Sequence, residues 1–143
     1  MAFVHGREGY FSIDDNAGTL QDISCYIGNV DLNREADTPE VTTFCDDFRA
    51  YITGFRAATI SLSGFYDPAS SAIDEILEGI LTGANNALSK TFEYGPNGNA
   101  MGEVRYTGEC FMTSYSVSSP VDGVVSFTAD FNITGNVTRN TFP

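Results

Sequence analysis

Basic side chains are scarce in this sequence. Seven Lys and Arg stand against 19 Asp and Glu in 143 residues, a formal net charge of −12. Gripping a phosphate backbone needs a cationic footprint, so the chain as a whole should repel nucleic acid. Trp is absent and His occurs once, at His5. A hydrolytic triad thus has one available base, and it stands near a terminus, a poor mount for catalysis. No Gly-x-Ser-x-Gly elbow occurs. Three cysteines (Cys25, Cys45 and Cys110) lack the spacing of a metal knuckle and leave room for at most one bridge. Reduced, mostly buried thiols are expected. Apolar runs extend only a few residues, far short of a membrane span. Nor does Met1–Tyr10 hold an apolar stretch behind basic residues, so no secretory signal is expected.

Other chemical motifs fail on spacing. Asp14, Asp15 and Asn16 open like a calcium loop, but the Gly and distal Glu are not at the required offsets. Asp46-Asp47 is a bare acidic pair. The run Gly95–Gly102 has no Lys and leads into strand-like sequence, whereas a phosphate cradle needs amides at a helix start. No enzyme, metal or cofactor is expected.

What the sequence does have is core material. Hydrophobic residues make up 42%, and 11 Phe with 7 Tyr suit pleated, half-buried surfaces, so one β-rich domain spanning 1–143 is expected. Strands are predicted at Tyr10–Asp14, Glu40–Phe44, Ala57–Tyr66, Lys90–Tyr94 and Arg105–Val117, with a last one from Val125 to Thr134. Leu20–Ile27 reads as a short helical turn, and the polar, acidic stretch at 31–39 as the start of a long loop that reaches to 47 around the strand-like Glu40–Phe44. One helix is predicted over 71–82, because Ile73, Ile76, Leu77, Ile80 and Leu81 form a single stripe; Ser71 is positioned to cap it and Gly83 to end it. An antiparallel β-sandwich or partly open barrel with one flanking helix follows.

The final two strands form a hairpin with an unusual polar side. Ser114, Ser116, Ser126, Thr128 and Thr134 supply small hydroxyls, Glu109 and Asp130 are the main charges, and Lys is absent. Such a side is either an ordinary solvated sheet face or a wall that would pass a polyanion without holding it. Alternation sets the relative direction of side chains but not whether Glu109 and Asp130 share a face.

In the order and spacing of its segments the chain resembles the major tail tube proteins of long-tailed (siphovirus-type) bacteriophages. The likeness runs through Gly18–Ser24, Val41–Phe44, Tyr51–Phe55, Ala58–Asp67, Tyr106–Glu109, Thr113–Val121, Val124–Phe131 and Thr134–Thr138. The resemblance implies six copies closing into a ring whose inner strands form one barrel, with rings stacked into the tube that guides DNA from capsid to host. It implies a virion protein assembled in the bacterial cytoplasm, working with tape measure and terminator or tip proteins, without membrane or specific DNA binding. An electronegative bore suits six times −12, or −72, per ring. Glu109, Asp130, Ser126 and Thr128 are then lumen-facing candidates. Arg34, Glu35, Asp37, Arg49, Arg56 and Arg105 are candidates for contacts between copies, with salt bridges inside the subunit as the alternative, and the 31–47 loop would reach another subunit or ring. Competing readings are the inner tube of a contractile tail or secretion system, and a monomeric β-sandwich that binds carbohydrate or a receptor.

Overall fold

The computed structural model describes residues 3–70, 72–84 and 87–143. Seven strands are present: β1 (Tyr10–Asp14), β2 (Leu20–Asp22), β3 (Ile27–Ala36), β4 (Arg56–Phe65), β5 (Lys90–Gly95), β6 (Val104–Ser118) and β7 (Ser126–Thr141). They form one antiparallel sheet in the order β2-β1-β5-β6-β7-β4-β3, which does not close on itself. The helix α1 (Ile73–Thr82) is the one α-helix among the described residues.

Alternation explains most of these elements. In β4, Ile60 and Leu62 are fully buried with Ala58 half-buried beside them; in β7, Phe127, Ala129 and Phe131 are buried while Thr128, Asp130 and Asn132 are exposed. The stripe of α1 buries Ile73, Ile76, Leu77 and Ile80 against the same core, which also takes Phe11 and Ile13 from β1, Phe92 from β5 and Cys110 from β6. Each large aliphatic or aromatic side chain so enclosed contributes about 1.5–3 kcal/mol of transfer free energy. The sheet is strongly coiled. Edge strand β3 comes round far enough for the Arg34 guanidinium to lie 5.0 Å from the centre of the Tyr106 ring on β6. Burial raises the Cys110 thiol to about 12, with Glu109 and Asp14 adding to it, so this cysteine is inert. Cys25 and Cys45, by contrast, are exposed, against the expectation of burial.

Four local expectations need correction. Residues 31–36 belong to β3, so the loop begins at Asp37 and runs to Phe55. Leu20–Ile27 is not one helical turn but the short strand β2 followed by a 3-10 turn at Ser24–Tyr26. Its bend is tied down by Ser24, whose Oγ accepts from the Phe11 N–H at 2.8 Å. Glu40–Phe44 is not a sheet strand; only Glu40 bridges to Tyr51 across the loop. The helix begins at Ile73, with Ala72 at its N-cap making no side-chain cap bond, and the expected cap at Ser71 lies outside the described residues.

Candidate functional site

The sheet has a second face, turned away from the core. Register places the same kind of residue on it strand after strand. In β3, Asn29, Asp31 and Asn33 stand opposite Ser63, Ser61 and Thr59 of β4. These in turn stand opposite Thr128, Asp130 and Asn132 of β7. Across β7, Ser126, Thr128 and Asp130 face Ser118, Ser116 and Ser114 of β6. Four strands thus present hydroxyls, amides and carboxylates with no Lys or Arg among these rows.

Asp130 sits at the centre of this wall. Ser61 Oγ donates to its Oδ1 at 2.8 Å and Ser114 Oγ to its Oδ2 at 2.9 Å. Both hydroxyls thereby orient a charge that remains exposed to solvent. Glu109 lies on the same face, because it is opposite Thr134, two residues along the alternation from Asn132. It accepts from Thr91 Oγ1 of β5 at 2.6 Å. The sequence distance from 109 to 114 is odd, which would normally put these residues on opposite sides. A bulge at Thr113 restores the match: Met112 faces Phe131, Ser114 faces Asp130, and the intervening Thr113 bonds through its hydroxyl to the Asp130 carbonyl at 3.0 Å. All four lumen candidates, Glu109, Ser126, Thr128 and Asp130, therefore share one surface, joined by Ser61, Ser114 and the polar row of β3.

Both margins of this four-stranded wall are open. β5 pairs with β6 only from Tyr106 to Cys110, so among the described residues no strand adjoins Phe111–Ser118 on the side away from β7. At the other margin, β3 pairs with β4 alone. Ten-residue and eight-residue ladders of unpaired backbone groups are a polymerisation surface unless another chain covers them. The eight-residue margin is held in place from behind. Tyr115 donates its hydroxyl to Asp74 Oδ1 in the first turn of α1 at 2.9 Å, and its ring packs on Phe127. Burial, then the Asp74 carboxylate, pushes the Tyr115 hydroxyl well above its ordinary pKa; Tyr66 is raised by the same two causes.

Between β3 and β4 the chain forms a projecting arm, 37–55. Its two legs are bonded Asp37 to Phe55, Pro39 to Ile52 and Val41 to Ala50, and the Asp46 carboxylate accepts from the Thr43 N–H at 2.8 Å to shape the tip. The arm's large apolar side chains have nothing to pack on: Phe44 is 111% exposed, Phe48 87% and Phe55 92%. Such a surface signals a partner.

The six cationic and acidic contact candidates are distributed differently. Arg105 is held within the chain, its Nη1 3.0 Å from Glu93 Oε1 with both side chains largely covered. Arg49 lies 3.7 Å from Glu40, leg to leg across the arm. Asp37 is at the arm's root, and Glu35 and Arg56 flank it at the strand ends. Arg34 covers Tyr106. Among the described residues no group of His, Cys, Asp and Glu is arranged to hold a metal, and no helix is long and apolar enough to cross a membrane.

A family model described as phage tail tube protein matches residues 10–139. No curated protein matches the chain by sequence. Among solved structures it is similar to the tail of an empty gene transfer agent particle with C6 symmetry, at a TM-score of 0.78 and 18% identity over 97% of this chain and 100% of the other. The SPP1 tail tube gives a TM-score of 0.75 at 12% identity, covering 97% and 80%. The sheath-tube complex of an extracellular contractile injection system gives 0.71 at 14%, covering 97% and 92%.

Proposed function

The chain belongs to the phage tail tube protein family, and from that premise we propose that it builds hexameric rings whose bore is the wall centred on Asp130. The observation that carries this reading is the pair of open margins. β6 and β4 run one way and β7 and β3 the other, so β3 of one copy meets residues 111–118 of the next in antiparallel fashion under simple rotation about an axis along the strands. No copy has to be inverted. Edge-to-edge addition then covers both open margins of the four-stranded wall, as closure does in a barrel. Six copies, the symmetry of the gene transfer agent tail, bring four strands each; at about 4.8 Å per strand the circumference is about 115 Å, a backbone diameter of about 37 Å before strand tilt widens it.

On this reading Asp31, Glu109 and Asp130 give the bore fixed negative charge, and the surrounding hydroxyls offer no cation for a phosphate to lodge on. DNA passes without being held. The arm serves contacts between copies, and the tape measure protein would occupy the bore during assembly, with terminator and tip proteins at the ends. Assembly in the cytoplasm of the infected bacterium fits a chain whose exposed Cys25 and Cys45 are unpaired. The likeness to a sheath-tube complex favours one alternative, the inner tube of a contractile machine; a sheath striation around the tube in micrographs of the particle distinguishes it. Family membership sets aside the monomeric binding module.

Negative-stain microscopy of the purified chain tests the reading. Hollow, ring-stacked tubes are the expected result, and a protein that stays monomeric at high concentration refutes it.

A further inference from the structure

One dipeptide in this chain carries chemistry that neither the wall nor the arm uses. Asn97-Gly98 is the single place where Asn precedes Gly. A glycine has no side chain to shield its backbone nitrogen from the neighbouring carboxamide. Once the Gly98 nitrogen has given up its proton it can attack Asn97 Cγ. The new C–N bond forms, the Cγ–Nδ2 bond breaks, and ammonia leaves with the proton. Water then opens the cyclic imide at either carbonyl. Position 97 becomes aspartate, or isoaspartate, which carries the chain through its side-chain carbon. The Asn97 side chain is exposed, so water has access, and no other reagent is needed.

In the folded chain both reacting groups are engaged. The turn 95–98, with Pro96 and Asn97 at its centre, closes through the Gly98 N–H, which donates to the Gly95 carbonyl at 3.1 Å. Asn97 Nδ2 donates to Glu103 Oε2 across the loop between β5 and β6, and a bond to a carboxylate is the stronger kind. The loop is anchored in turn on the C-terminal end of the chain. The Glu103 carbonyl accepts from the Phe142 N–H at 3.0 Å, and the Gly102 N–H donates to the Phe142 carbonyl at 3.0 Å. A Cβ at Gly95 would come within 2.3 Å of the Gly98 carbonyl oxygen and 2.8 Å of the Phe142 ring, so the turn has no room to fold inward.

We propose that Asn97 is a self-modification site of this protein, that Glu103 holds it closed, and that its reaction releases the C-terminal end of β7. The product carboxylate stands opposite the Glu103 carboxylate, where the carboxamide had donated a hydrogen bond. Attraction is thereby replaced by repulsion between like charges. The strain falls on the pairing of Gly102 and Glu103 with Phe142. That ring meets Tyr10 edge-on at 5.6 Å and lies 5.6 Å from the Arg105 guanidinium, so its displacement unpacks both. The change is irreversible in water and accumulates with the age of the molecule. None of this depends on assembly into tubes.

Peptide mass spectrometry of the purified chain, stored at mildly alkaline pH, tests the proposal. The folded chain should convert Asn97 about tenfold more slowly than the same chain unfolded in urea, since two hydrogen bonds must first open. Glu103→Ala should raise the folded rate about fivefold, and Glu103→Gln, which keeps an acceptor in place, should fall between. A folded chain that reacts as fast as the unfolded one overturns the proposal. So does a Glu103→Ala rate equal to or below that of the unaltered chain. Thermal melts test the consequence for β7. Asn97→Asp, a stand-in for one product, should melt below the unaltered chain at neutral pH and recover when salt is added, whereas Asn97→Ala should show no such recovery. Equal melting of Asn97→Asp and the unaltered chain overturns the release of β7.

Discussion

Tyr115→Phe removes one hydroxyl from the back of the wall and leaves the ring in place. The lost bond runs from a phenol to the Asp74 carboxylate at 2.9 Å, joining β6 to the first turn of α1. Hydrogen bonds to charged groups are worth about 1.5–3 kcal/mol when enclosed. Tyr115 and Asp74 are only half-buried, so solvent takes over part of the loss and the net cost should be about 1 kcal/mol. With about 2.1 cal/mol/K of unfolding entropy per residue, that corresponds to a fall of about 3 °C in the melting temperature of the unassembled chain. The pH dependence carries a sign. Because folding raises the Tyr115 pKa, the folded state holds its proton where the unfolded chain releases it. The contribution is complete below the ordinary tyrosine value of about 10 and declines as pH rises towards the folded value. Thermal melts of both chains across pH 7 to 11 measure this: the difference should be constant to about pH 10 and shrink beyond it. A variant that melts with the unaltered chain, or a difference that grows at alkaline pH, refutes the clamp. The same substitution loosens the open margin of β6, so the protein concentration needed for tube formation should rise.

Other consequences concern the wall, the arm and the core. Exchanging Glu109 and Asp130 together for Lys should slow DNA ejection from particles in a manner relieved by added salt, as new phosphate contacts form; unchanged ejection would place these residues outside the bore. Replacing 40–51 with a short Gly-containing turn should leave a chain whose melting is within about 1 kcal/mol of the original, because loop shortening costs little. Microscopy of that variant should show no tubes, and normal tubes would refute the arm's role. Leu62→Ala, at a fully buried position, should cost about 3–5 kcal/mol in denaturant unfolding; a loss under 1 kcal/mol would mean that β4 does not face the core.

The parts of the fold that announce themselves are those with one face in the core. β4, β7 and α1 alternate or stripe cleanly, since Ile60, Leu62, Phe127, Phe131, Ile76 and Ile80 must all reach a single interior. β3 hid for the converse reason. As an edge strand it spends only Ile27, Val30 and Leu32 on the core, all before residue 33, and its other face is the polar wall, so Asp31–Ala36 reads as loop composition. Glu40–Phe44 misleads the other way: its Val, Thr and Phe suit a strand, yet they sit on the arm with their side chains in solvent. The wall's chemistry was legible in its hydroxyls, but its unity was not. Whether Glu109 joins Asp130 depends on one extra residue at Thr113, and the two serines that orient Asp130 come from strands whose register no spacing rule supplies. Nor does any sequence pattern reveal that β5 begins at Lys90, opposite Cys110, and leaves the rest of β6 bare.

The two ends of the four-stranded wall differ. At one end stands the arm, with Phe44, Phe48 and the Asp46-Asp47 pair; at the other, the 119–125 turn carries Asp122 between Val121, 107% exposed, and Val124, 67% exposed. On the tube reading copies add without inversion, so each ring has two unlike faces, and rings stacked head to tail make a filament with a direction, like an arrow repeated nose to tail. Its leading and trailing surfaces are chemically distinct. Whatever starts such a filament and whatever stops it must therefore recognise different faces, and neither cap can substitute for the other.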